Sequence, residues 1–137
     1  APTARLLWVD IERGLVHVFD PAAPDPASAL RTHTVGGRVG TVVPTRDHRL
    51  LIARDTLAAF LDPLTGRLTP LPPPSDPDEP AGTRFNDGKC DPAGRFWVGS
   101  MSFSGQPIGH LRSYDPARGW LTRLSGLGCS NGLAWTP

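Results

Sequence analysis

The chain has 137 residues, two cysteines and a formal net charge of +1, and 31 of its residues are Pro or Gly. That length holds about one domain, and that density of Pro and Gly argues against long helices and for many short strands joined by turns. There is no basic block and no acidic tail, which removes the electrostatic footprint of a nucleic-acid binder. No apolar run reaches membrane-spanning length, and no charged-then-apolar leader opens the chain, so a soluble, cytoplasmic protein is expected.

In chain order, Leu6–Asp10 reads as a buried strand, residues 11–14 as a turn and Leu15–Phe19 as an alternating strand ending at Asp20-Pro21. Residues 22–29 read as a Pro-Ala-Asp loop, residues 30–35 as a short strand, and Gly36-Gly37 as a break. The same sequence of features then begins again. Strands are expected at 39–44, 50–53 and 57–61, the last ending at Asp62-Pro63, with an outer strand at 67–71 and an exposed Pro-rich, acidic loop at 72–82. A third copy has strands at 96–99, 110–114 and 120–124, the middle one ending at Asp115-Pro116, and residues 130–137 open a fourth.

The expected second strands start at Leu6, Leu50 and Phe96, 44 and 46 residues apart. The Asp-Pro pairs at Asp20, Asp62 and Asp115 are 42 and 53 apart, the longer step reflecting an insertion at 102–109. A period of this size with four strands per unit is the signature of an all-β fold, the β-propeller. The units are expected at 1–37, 38–82, 83–129 and, as the start of the next, 130–137. That is about two and a half to three blades, whereas a closed propeller needs about four to eight. The chain is therefore expected to be a piece of a longer protein, or to self-associate into a ring through its open blade faces.

The richest stretch is Thr83–Met101. Asn86 and Asn131 occupy equivalent places in consecutive units, 45 residues apart, and each is followed closely by Gly. On a propeller the first strand of each blade lines the central channel, so the two Asn are expected to converge at one mouth, with Arg84 on the same side of its strand as Asn86. The second unit has Gly40 at this place and contributes space. An amide oxygen suits Ca, Mg or Mn, and Zn less commonly. A guanidinium can hold a carboxylate, carbonyl or hydroxyl. The alternative reading leaves Asn86-Asp87-Gly88 and Asn131-Gly132 as ordinary turns.

The blocks Arg84-Phe85-Asn86-Asp87-Gly88-Lys89, Asp91-Pro92-Ala93-Gly94-Arg95, Gly99-Ser100-Met101 and Ser130–Trp135, together with Leu7–Ile11, resemble the SMP-30/gluconolactonase/regucalcin family over essentially the whole chain. The resemblance implies a six-bladed propeller with one divalent metal ion in its channel, and hydrolysis of sugar lactones. It implies Asn131 as a metal ligand and Arg84 and Asn86 as substrate-binding residues. No catalytic residue is placed within the chain. A family Glu that touches substrate would fall near Ser104, where there is no acid. The other two metal ligands, a Glu and an Asp, are expected outside residues 1–137, so the isolated chain is expected to be inactive. The competing reading is a non-catalytic binding propeller or a self-assembling half-propeller.

The remaining polar and aromatic residues read as structural. His17, His33, His48 and His110 are expected to be solvated or packed. Asp20, Asp62, Asp91 and Asp115 recur at turns, which suggests turn chemistry. Asp87 is expected to cap its own turn. Trp8, Trp97, Trp120 and Trp135 are expected in blade cores or between blades. Cys90 and Cys129 lack metal-type spacing and are expected to be reduced thiols, although a disulfide stays open.

Overall fold

A computed structural model describes residues 4–74 and 78–136. Part of the expected 72–82 loop, residues 75–77, lies outside the described residues. Three antiparallel sheets follow one another along the chain. The first has the order β1(Leu6–Asp10)-β2(Leu15–Phe19)-β3(Leu30–Thr34). The second is β4(Val39–Pro44)-β5(Leu50–Arg54)-β6(Leu57–Leu61)-β7(Leu68–Pro70). The third is β8(Thr83–Cys90)-β9(Phe96–Ser102)-β10(Gly109–Asp115)-β11(Gly119–Leu127). Within each sheet every strand pairs antiparallel with its neighbour in the chain.

The side-chain period of two decides which sheet meets which. Val16 and Val18 turn one face of the first sheet onto Val39, Leu50, Ile52 and Leu61 of the second. Leu51 and Ala53, one residue out of step, turn the second sheet's other face onto Phe85, Phe96 and Val98 of the third. Leu50–Ala53 is therefore buried on both faces, and its continuous apolar run follows from that. Fully burying a side chain such as Ile52 stabilises by about 1.5–3 kcal/mol. Trp120 closes the second interface, packing on Phe85, Phe96 and Tyr114. Its indole N–H donates to the Pro72 carbonyl at 2.7 Å.

The Asp turns form as expected. Asp20 accepts from Ala22 N, Asp62 from Leu64 N, Asp115 from Ala117 N and Asp91 from Arg95 N. Both cysteines are free. Three readings change. The expected loop at 22–29 contains a one-turn helix, α1(Pro26–Ala29), because Asp25 caps it through Ser28 N and Pro26 presets the first turn. β1 is not a buried strand: Leu6 is 61% and Trp8 38% exposed, because among the described residues no sheet covers the far face of the first blade. Residues 131–136 form no strand; the N–H groups of Gly132 and Leu133 go to a side chain instead of a ladder.

Sheets stacked face to face in chain order, the second and third each entered through its innermost strand and with β4 lying against β8, are blades of a β-propeller; β1 takes the place of the second strand, β5 and β9, in the three-stranded first sheet. No helix among the described residues is long and apolar enough to cross a membrane.

Candidate functional site

The site begins with an irregularity in β8. Its ladder with β9 pairs Arg84 with Met101 and Phe85 with Ser100, then resumes at Gly88 with Val98. Two residues, Asn86 and Asp87, thus oppose one, Gly99, which makes a β-bulge. The stretch read as a possible turn is a continuous strand, and the bulge releases both polar side chains from the ladder. The inner strand of the second blade has its own register shift between Val39 and Thr41, around Gly40. A Cβ at Gly40 would overlap the carbonyl oxygens of Phe85 and Asn86, so only Gly lets the two inner strands meet here. Gly40 is filled by backbone rather than left as open space.

Arg84 is buried, at 8% exposure. Its Nη1 donates to the Phe85 carbonyl at 3.0 Å and to Asn86 Oδ1 at 2.9 Å. It makes no ion pair among the described residues, and its buried Nε has no hydrogen-bond partner. An orphaned buried donor costs about 1–3 kcal/mol, so the Arg84 Nε calls for a reason in strain, function or an ordered water. Asn86 is held from both ends: Oδ1 accepts from Arg84, and Nδ2 donates to the Ser130 carbonyl at 2.8 Å. The Cys129 thiol lies 3.7 Å from the same nitrogen.

Residues 128–135 run along β8 and β9. Ser102 N donates to the Gly128 carbonyl, and Met101 pairs with Cys129 as an isolated bridge. The Ser130 side chain fills the notch at Gly99, where a Cβ would overlap it. Asp87 does not cap its own turn; its Oδ2 accepts from Gly132 N at 2.7 Å and Leu133 N at 3.1 Å, tying down the following segment. Trp135 Nε1 donates to the Cys90 carbonyl at 3.0 Å, and its ring lies 5.4 Å from Trp97. Arg84 and Asn86 are thus brought together, with the backbone on either side of Asn131 anchored to the same strand. The Asn131 side chain itself is exposed and makes no hydrogen bond to the described residues. Ser104 Oγ lies 3.0 Å from Ser102 Oγ and accepts from Gln106 N, so it is occupied in shaping its own loop.

Among the described residues no three His, Cys, Asp or Glu side chains cluster as a metal site. The donors present do not fit a complete divalent-metal centre: Asn131 offers one neutral oxygen, and Asp87 Oδ2 is already holding two amides. Burial pushes the Cys90 thiol above its ordinary pKa, and neighbouring Asp91 adds to this, so Cys90 stays protonated near neutrality.

One buried polar group escaped the sequence reading. Arg112, fully buried, is paired with Glu79, donates to Thr122 Oγ1 at 2.8 Å and lies 3.3 Å from His110 Nδ1. The signal was present: His110, Arg112 and Tyr114 alternate onto the core face of β10. His110 is accordingly a packed residue, whereas His17 stacks on Trp8 at 4.8 Å on the outer face of the first blade.

The fold is that of a partial β-propeller. The description "SMP-30/Gluconolactonase/LRE-like region" matches residues 1–137, and the chain belongs to that family. It is 37% identical over 101 residues to a regucalcin of Danio rerio, covering 72% of this chain and 33% of that protein. It is 35% identical over 137 residues to a pentonolactonase of Haloferax volcanii, covering 96% and 42%. It is 30% identical over 132 residues to a putative sugar lactone lactonase of Bacillus subtilis, covering 96% and 43%. The chain therefore spans less than half the length of these relatives. Among solved structures it superposes on a luciferin-regenerating enzyme with a TM-score of 0.80 at 22% identity, covering 97% of this chain and 45% of that one. A calcium-binding protein, regucalcin, of Agrobacterium tumefaciens gives 0.72 at 23% identity, covering 90% and 40%. These last two likenesses speak for the propeller fold.

Proposed function

We propose that the protein carrying this chain hydrolyses sugar lactones, and that residues 83–131 form one side of its substrate mouth. The observation that carries this is Arg84, a buried guanidinium with no carboxylate partner among the described residues and an unfilled Nε beside Asn86. It is a donor set prepared for the ring and hydroxyl oxygens of a polyhydroxylated substrate. The names of the relatives, a pentonolactonase and a putative sugar lactone lactonase, support the same substrate class.

Within this reading Arg84 binds the substrate, and Asn86 fixes the guanidinium and presents its own amide at the mouth. Holding the lactone in one orientation lowers the entropic part of the barrier. Asn131 is proposed as one oxygen ligand of a divalent ion, calcium being one candidate. Its other ligands are not among the described residues, and no step of the reaction is drawn through it.

The test uses the full-length protein and a panel of aldonolactones, with acid release followed at constant pH. Loss of one or two charge-assisted hydrogen bonds predicts that Arg84→Met lowers kcat/KM roughly 10- to 100-fold. Asn131→Ala is expected to weaken divalent-ion binding and lactonase rate together. A wild-type protein that binds lactones without opening them would make this propeller a binding module. Arg84→Met at wild-type activity would remove the site assignment.

A further inference from the structure

The loop joining β9 to β10, residues 103–108, carries an aromatic ring with no role in the core. Phe103 is 52% exposed. Lone exposed apolar residues are ordinary, but this one is fixed on two sides. Its N–H donates to the Gly82 carbonyl at 2.9 Å, and the preceding Ser102 pairs with Thr83. That places Phe103 one step beyond the last rungs of the ladder, two residues from the Arg84–Met101 pair. The guanidinium of Arg38 lies 5.1 Å from the ring centroid, a cation–π contact.

Arg38 is itself held. Its Nε donates to Glu12 Oε2 at 2.9 Å and its backbone N–H to Asp55 Oδ1 at 3.0 Å. The Asp55 carbonyl in turn accepts from Phe85 N at 2.6 Å. Asp55 sits at φ 47°, a left-handed conformation that a non-glycine residue adopts only when its surroundings demand it. Two chains of hydrogen bonds therefore tie Phe103 and Arg38 to the opening residues of β8, the end that carries Arg84.

From this we infer that Phe103 is a specificity-determining residue: with Arg38 over one face of the ring, the other face is a preset aromatic platform on which the apolar C–H face of a sugar ring rests while its oxygens reach Arg84 and Asn86. The inference rests on the lactone reading above and adds the ring face to it. The face of an aromatic ring carries negative quadrupolar charge, which suits the weakly positive hydrogens on one side of a six-membered sugar ring. An acyclic substrate, with no such face to present, gains little from this surface.

The experiment uses the full-length protein, with D-glucono-1,5-lactone as substrate and 1,5-anhydroglucitol as a ring that cannot be opened. Phe103→Ala is expected to raise KM for the lactone, and to weaken calorimetric binding of the anhydro sugar, about three- to tenfold. Its kcat is expected to stay within about twofold of wild type, because the platform acts equally on ground and transition states. Phe103→Tyr is expected to restore both constants. Unchanged KM and unchanged binding in Phe103→Ala would overturn the inference while leaving lactone hydrolysis in place. A loss of kcat alone, or failure of Tyr to restore binding, would reduce the residue to a structural one. Sugar binding that depends on Phe103 without any hydrolysis would keep the platform and remove the lactonase; a wild-type protein that does neither would remove both.

Discussion

Two arginines are buried in the third blade, and they have opposite surroundings. Arg112, at 0% exposure, meets the Glu79 carboxylate, the Thr122 hydroxyl and the His110 ring. Arg84, at 8%, meets a backbone carbonyl and one amide, and keeps an unfilled Nε. Burying a guanidinium is costly unless it is paired and fully hydrogen-bonded. The fold meets that requirement at Arg112 and leaves it incomplete at Arg84. The difference separates a charge that staples the loop before β8 to its sheet from a charge whose remaining donor the proposed substrate would fill.

The largest expected effect tests this contrast directly. Arg112→Ala leaves the buried Glu79 carboxylate with only His110 and the Thr83 hydroxyl beside it and is expected to destabilise by about 3–5 kcal/mol. Arg84→Met removes an unsatisfied donor and is expected to change stability by less than about 1 kcal/mol, in either direction. Urea titrations of the two variants measure both; equal losses would end the distinction. A middle-sized effect is expected from Gly40→Ala. Its Cβ would run into the Phe85 and Asn86 carbonyls, an overpacking cost of about 1–3 kcal/mol. Because the strain falls on the Arg84–Asn86 cradle, ligand affinity should fall with stability; a drop in stability alone would show that the cradle tolerates the shift.

The smallest effect concerns a third buried charge, Asp91. Burial raises its carboxyl, but hydrogen bonds from Trp97 and Arg95 outweigh this and hold it below the usual range. A depressed pKa stabilises above the unfolded value of about 3.9 and is lost as pH falls through the folded one. The stability gap between wild type and Asp91→Asn should thus be constant near neutrality and close below about pH 4. A gap that persists to lower pH would mean that the turn, rather than the charge, carries it.

The repeat made the architecture legible. Asp20, Asp62 and Asp115 mark the same hairpin in successive blades, because an Asp side chain accepting from the backbone two residues on serves each copy equally. That Arg84 and Asn86 lie side by side was legible from blade register. The bulge was not, since nothing in Asn86-Asp87-Gly88 distinguishes a widened strand from a turn. Burial was least legible where it depends on what lies beyond a sheet. Leu6–Asp10 has a core strand's composition yet faces outward on one side. Arg112 has a surface residue's composition yet sits inside. Asp87 was misplaced for a related reason: its partners, Gly132 and Leu133, are 45 and 46 residues away.

The contact at Gly40 has a wider meaning for how such a molecule tolerates change. Where the second and third blades touch nearest the axis, main-chain atoms meet main-chain atoms. The bore at that level is gauged by peptide units, whose dimensions are the same in every protein. Valines, leucines and phenylalanines further out can be exchanged and repacked, and the mouth that holds Arg84 and Asn86 keeps its calibre.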